Sequence, residues 1–140
     1  MDSKLKIHHV GYAVRDIASA GEKFRTLGFE IGTTITDDIR KVAIAFARNG
    51  NYVVELIAPV DSNSPVDGIL SKMGPTPYHL CFEVDDMNAS LATFRKQGYV
   101  VASPPSPAPA INDSVVAFLY HSEIGLVELV EVVNSSDGAI

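Results

Sequence analysis

The stretch that decides the fold is "PYHLCFEVDD", Pro77 to Asp86, because the chain has already spelled out its counterpart once. The earlier copy is "KIHHVGYAVRD", Lys6 to Asp16, and superposing the two puts His9 on His79, Val14 on Val84 and Asp16 on Asp86. The correspondence continues without a gap from His9 to Ile31 against His79 to Val101, and it carries Phe24 onto Phe94, Arg25 onto Arg95 and Gly28 onto Gly98. Val10 with Leu80, Tyr12 with Phe82, Ile17 with Met87 and Phe29 with Tyr99 are near matches. A gapless likeness of this length points to duplication. Two copies are too few for a solenoid, so the expectation is two similar modules about a pseudo-twofold axis.

Within each copy the apolar period changes from two to about three and a half, the mark of a strand that feeds a helix. Val10, Tyr12 and Val14, like Leu80, Phe82 and Val84, form the bulky strand face that a helix can cover. The other face carries His9, Gly11 and Ala13 in one copy and His79, Cys81 and Glu83 in the other, which are small or polar. Asp16 and Asp86 stand where a carboxylate caps a helix start, and Gly28 and Gly98 where a glycine ends one. Ile17, Ala20, Phe24 and Leu27 then share a helical face, as do Met87, Leu91 and Phe94. Strands are expected over residues 29–35, 41–47 and 52–58, with Arg48-Asn49-Gly50-Asn51 as a hairpin turn, and again over 99–102, 114–120 and 126–132. The proline-rich stretch Pro104 to Pro109 reads as an irregular loop. A short helix is expected from Val66 to Lys72 and disorder from Asn134 to Ile140.

The predicted fold class is α+β, with two tandem βαβββ modules forming an incomplete eight-stranded barrel around a metal-binding cleft. Its single domain spans residues 1–133, with module 1 at about 5–58, a linker at 59–77 and module 2 at about 78–133. A chain of 140 residues suits one such domain and buries roughly two-thirds of its unfolded surface. No apolar run approaches the ~20 residues of a bilayer span and no charged-then-apolar leader opens the chain, so no membrane partner and a cytoplasmic location are expected. The lone cysteine, Cys81, excludes an internal disulfide and an all-thiolate structural zinc site. A net charge of −6, with no basic cluster beyond Arg40-Lys41, argues against nucleic acid.

Extending the repeat to each last strand sets Val54-Glu55-Leu56 on Val127-Glu128-Leu129. Each half thus supplies one histidine and one glutamate. A carboxylate flanked by apolar neighbours in a strand is costly to bury unless a cation or hydrogen-bond donor meets it. Two at equivalent points ask for one explanation: His9, Glu55, His79 and Glu128 meeting at the axis around a divalent ion. This nitrogen and oxygen set suits nickel, cobalt, manganese or iron, and also zinc. His8 points to the other strand face and reads as a rim residue, His121 as a solvated turn residue, and Cys81 as small apolar core. Arg40 and Lys41 suit an anionic substrate or, equally, a solvated charge pair.

Paired β-α-β-β-β modules, a histidine opening each and a glutamate in each last strand, resemble the vicinal oxygen chelate superfamily. "HHVGYAVRDI", "VVELIAP", "PYHLCFEVDD" and "VAFLYHSEIGLVELVE" are similar to its glyoxalase I and methylmalonyl-CoA epimerase branch, most of all to single-domain bacterial glyoxalase I. The resemblance implies an enzyme, a lactoylglutathione lyase that converts the methylglyoxal–glutathione hemithioacetal to S-lactoylglutathione through an enediolate. It further implies one divalent ion per site, nickel or cobalt before zinc, Glu128 and Glu55 as the catalytic carboxylates, and a homodimer. The partner would be a small thiol adduct or thioester. The alternatives are an acyl thioester isomerase like methylmalonyl-CoA epimerase, or a non-catalytic binding protein of the same fold. Epimerases of this branch carry a second acid/base glutamate just before the hairpin turn, where this chain has Arg48, and no acid lies between Asp38 and Glu55.

Overall fold

The structure is a computed structural model and describes residues 4–133; the tail expected to be disordered, 134–140, lies outside them. The described residues form nine strands, three α-helices and one 3-10 turn, and they divide into two compact units. One unit holds residues 9–78; the other holds residues 79–133 together with residues 4–8.

In the first unit β1 (Ile7–Ala13) leads through helix α1 (Ile17–Thr26) to β2 (Glu30–Ile31), β3 (Ile35–Asp37), β4 (Val42–Asn49) and β5 (Tyr52–Pro59), and α2 (Pro65–Met73) follows. The sheet order is β2-β4-β5-β1, with β3 also pairing β4. β1 and β5 run parallel, while β4 and β5 form a hairpin whose turn uses Gly50 at φ +60°. The strand expected over 29–35 is confined to Glu30–Ile31, and a second short strand begins at Ile35 and runs on to Asp37. The β2 ladder breaks after Ile31, although the Gly32 amide still donates to the Phe46 carbonyl at 2.8 Å.

The second unit repeats the plan with β6 (Thr76–Val84), α3 (Met87–Lys96), β7 (Val100–Ala108), β8 (Ser114–His121) and β9 (Gly125–Glu131), in sheet order β6-β9-β8-β7. β6 is parallel to β9, and its Glu83 amide donates to the carbonyl of Lys6 at 2.9 Å. Here the expected irregular loop is strand. β7 runs through Pro104, Pro105 and Pro107 and pairs with β8, with register shifts between Val101 and Ser106, before a 3-10 turn at Pro109–Ile111. Proline is tolerated because β7 is the outer strand of this sheet, where an amide is not needed on its free side, and bulges absorb the residues that cannot donate.

The helix ends follow the sequence. The Asp16 side chain accepts from the Ser19 amide at 2.8 Å, and Asp86 accepts from Ala89 at 3.1 Å. The Ser19 amide holds the Asp16 carboxyl below the usual carboxylate range. A depressed folded-state pKa gives stability above the ordinary carboxylate pKa, and that stability fades as pH falls through the folded value. At the other end Gly28 and Gly98 adopt φ +96° and +95°. In α1 the Gly28 amide reaches Arg25 and the Phe29 amide reaches Phe24, and in α3 Gly98 and Tyr99 reach Arg95 and Phe94 in the same way. The aromatic pairs Phe24–Phe29 and Phe94–Tyr99 close each cap edge-on, at 5.4 and 5.0 Å. Leu27 departs from the expected core face. It is the residue at which α1 ends, and it stays 66% exposed.

Each helix covers the bulky face of its own sheet. Val14, Ala47, Leu56 and Ala58 form one core with Tyr12, Ile17, Ala20 and Phe24 around them. Val84, Met87, Leu91, Ala117, Leu119, Val127 and Leu129 form the other. Leu56 and Leu129 are fully buried at matching points. Leu56→Ala and Leu129→Ala should each cost roughly 2–5 kcal/mol, read as a lowered denaturant midpoint with an unchanged slope; a cost under about 1 kcal/mol would contradict the assigned cores.

Candidate functional site

The face of each sheet away from its helix carries the polar residues. In the first unit β1 and β5 are in parallel register with Gly11 beside Glu55, so His9, two residues earlier on the same face, projects next to that carboxylate. His9 Nε2 lies 3.0 Å from Glu55 Oε1. In the second unit Cys81 is beside Glu128, and His79 Nε2 lies 3.0 Å from Glu128 Oε1. Both pairs are buried, with His9 1% and Glu128 4% exposed. An imidazole and a carboxylate satisfy part of one another's need for a partner, which is why so polar a pair survives among apolar neighbours.

The donor atoms suit a metal ion as well as each other. Two ligands about 2.1 Å from one six-coordinate ion and at right angles stand about 3.0 Å apart, and this is the spacing within each pair. Nitrogen and oxygen donors of this kind belong to divalent ions of intermediate character.

Two residues that the sequence reading passed over complete each pair. Phe46 of β4 stands opposite Glu55, and its ring meets that of His9 edge to face, 5.5 Å between centroids at 74°. Phe118 of β8 stands opposite Glu128 and meets His79 in the same way, at 5.2 Å and 86°. The rings fix the imidazoles and form an apolar wall that strengthens every charge interaction beside it. The signal was present as the dipeptide Ala45-Phe46 repeated at Ala117-Phe118, in strands where the offset had already changed.

Other expectations resolve as follows. Cys81 is fully buried with Ala108, Val116 and Val130, the small apolar core role anticipated for it. His121 is not the solvated turn residue expected: its Nδ1 accepts from the Glu123 amide at 3.0 Å and its ring lies 4.9 Å from that of Tyr99, so the hairpin end folds it down onto the α3 cap. Arg40 gives Asp37 a 2.7 Å ion pair, while the buried Asp37 also accepts from the amides of Ile39 and Arg40. Asp37 thus organises the β3–β4 turn, and Arg40 has this structural duty. Val42, Ile44, Phe46 and Arg48 are the β4 residues on the Glu55 face, and none is an acid. No helix among the described residues is long and apolar enough to cross a membrane.

Comparison with known proteins places this arrangement. The family described as the Glyoxalase/Bleomycin resistance protein/Dioxygenase superfamily matches residues 8–118. The chain belongs to that superfamily, which is also the vicinal oxygen chelate superfamily its sequence resembles. It is 31% identical to an ethylmalonyl-CoA/methylmalonyl-CoA epimerase of Cereibacter sphaeroides, over 91% of this chain and 98% of that protein. It is 31% identical to the mitochondrial methylmalonyl-CoA epimerase of Bos taurus, over 89% of this chain and 73% of that one. The methylmalonyl-CoA epimerase of Mycobacterium tuberculosis superposes with a TM-score of 0.82 at 26% identity, covering 99% of this chain and 96% of that one. These relatives are epimerases, so the lyase expected from the motifs has support only at the level of the superfamily.

Double-mutant cycles in chelator-treated protein test the pairs one at a time. His9→Ala with Glu55→Ala, and His79→Ala with Glu128→Ala, should return couplings of the same sign and similar size, roughly 0.5–3 kcal/mol; a coupling near zero in either would show that the contact is incidental.

Proposed function

We propose that this chain is a metal-dependent isomerase of an acyl-CoA thioester, shifting the proton on the carbon next to the thioester carbonyl. In this reading His9, Glu55, His79 and Glu128 hold one divalent ion, for which nickel or cobalt is favoured over zinc. The observation that carries it is the end-to-end likeness to the Cereibacter sphaeroides epimerase, 31% identical over 98% of that protein. The residues support it as well, since all four are buried donors of a kind that holds a metal ion. Superfamily membership also favours a divalent ion.

The chemistry follows from the carboxylates. A proton beside a thioester carbonyl is weakly acidic, and the carboxylates opposite Phe46 and Phe118 are buried on a water-shielded sheet face from which a positioned base can reach it. Glu128 or Glu55 takes the proton while the C–H pair moves toward the carbonyl oxygen, and the same carboxyl group, or the other, gives it back. A divalent ion, when bound, supplies Lewis-acid stabilisation of the negative charge that develops on that oxygen. Return of the proton to the opposite face inverts the centre; return to the same face exchanges it.

One observation favours a second reading. With no acid on the Glu55 face of β4, a reaction that needs a single base is served fully, and isomerisation of the methylglyoxal–glutathione hemithioacetal is such a reaction. The thioester isomerase is preferred because the relatives carry the likeness along the whole chain. A cytoplasmic homodimer belongs to this proposal, and light scattering tests the dimer.

The deciding experiment strips the protein with chelator, restores nickel, cobalt, zinc or manganese singly, and follows methylmalonyl-CoA in D2O by proton NMR and chiral chromatography. Metal-restored deuterium uptake at C2 is expected, with Glu128→Gln slower by roughly 10²–10⁴-fold. Absent C2 exchange alongside S-lactoylglutathione formation in a parallel assay would install the second reading. Metal binding without either turnover would favour a binding protein.

A further inference from the structure

The inner residues of the two units are the same: His9 with His79, Glu55 with Glu128, Phe46 with Phe118. A set that repeats itself cannot tell one end of a substrate from the other. Discrimination has to come from the first positions outward at which the modules differ. Along the Phe46 face of β4 the next residue is Arg48, opposite Val53; along the Phe118 face of β8 it is Tyr120, opposite Leu126. One module therefore offers a cation where the other offers a neutral phenol.

The surroundings of Arg48 fit it to receive an anion. Its guanidinium carbon lies 5.4 Å from the centroid of the Phe46 ring, the ring that also meets His9, so the cation is held over the wall of the His9–Glu55 pair. Arg48 itself is exposed, and Glu30 of β2 faces it across the ladder as the nearest competing carboxylate by register. Two strand residues from the row of Glu55 correspond to roughly 6.5 Å. A group at that reach belongs to the acyl part of a thioester, because the phosphates of coenzyme A are separated from the reacting carbon by the whole pantetheine arm.

Resting on the thioester reading above, we infer that Arg48 is a substrate-binding residue that pairs with a free carboxylate on the acyl group, selecting malonyl-type thioesters over neutral ones. A guanidinium and a carboxylate make a directed, two-pronged contact that lysine reproduces only in part.

The test compares wild type, Arg48→Met, Arg48→Lys and Tyr120→Phe, all metal-loaded, on methylmalonyl-CoA, methylmalonyl-pantetheine and the neutral 2-methylacetoacetyl-CoA. Arg48→Met should raise KM for both methylmalonyl thioesters roughly 10–100-fold with a smaller change in kcat. It should leave the neutral thioester within about threefold, and Arg48→Lys should recover part of the loss, while Tyr120→Phe leaves the ranking intact. Equal losses on all three substrates would overturn the inference, and a loss confined to the coenzyme A thioesters would transfer the contact to a phosphate and overturn it too. If wild type turns over none of them, the thioester reading falls by itself. Calorimetry with methylmalonyl-CoA then decides Arg48 separately: a Kd weakened roughly tenfold or more in Arg48→Met upholds the carboxylate contact, and an unchanged Kd overturns it.

Discussion

The burial of a carboxylate beside an imidazole is the constraint around which each unit is organised. Glu55 and Glu128 sit in the middle of apolar last strands, where an ionised group without partners would destabilise the fold by several kcal/mol. The remedy is topological. A first strand laid parallel against the last brings a histidine to within 3.0 Å, and the helix between them lets two parallel strands be neighbours. The middle hairpin strand then lays a phenylalanine against the imidazole. β-α-β-β-β is thus a short way to place one nitrogen and one oxygen donor side by side on a dry sheet face.

The two faces of each sheet divide the labour. Leucine, valine and the aromatic residues of one face pack under α1 or α3 and supply most of the stabilisation through apolar burial. The other face is thereby relieved of that duty and can carry groups that cost stability, as sites for chemistry generally do. Phe46 and Phe118 belong to both economies, being apolar cover and part of the site at once.

Much of this was legible in the sequence because repetition removes ambiguity. Asp16 and Asp86 as caps, Gly28 and Gly98 as helix ends, and His9, Glu55, His79 and Glu128 as a recurring set all gained meaning from their partners seventy or so residues away. What escaped is where the copies diverge or where a local rule is overruled. Pro104 to Pro109 looked like a loop, since proline has no amide to give a ladder; an outer strand does not need it there, and as far as Ala108 the stretch is strand. His121 looked like a turn residue in water, and only tertiary packing laid it against Tyr99. The choice between lyase and epimerase could not be read from the ligand set, which serves any reaction that develops charge on oxygen. Comparison with relatives moved that choice, and the asymmetry of β4 and β8 gives it a chemical form.

The prolines of β7 have one more consequence. A sheet's last strand ordinarily exposes a line of unsatisfied amides and carbonyls, an open seam to which any extended chain can fasten. Three of the nine residues of β7 are proline, so the seam offers carbonyls with too few donors to be copied. In the other unit the outermost strands, β2 and β3, are only two and three residues long, which leaves little seam to copy. The two modules thus inherited one plan for chemistry and arrived separately at insulation for their borders, one by chemistry and one by brevity.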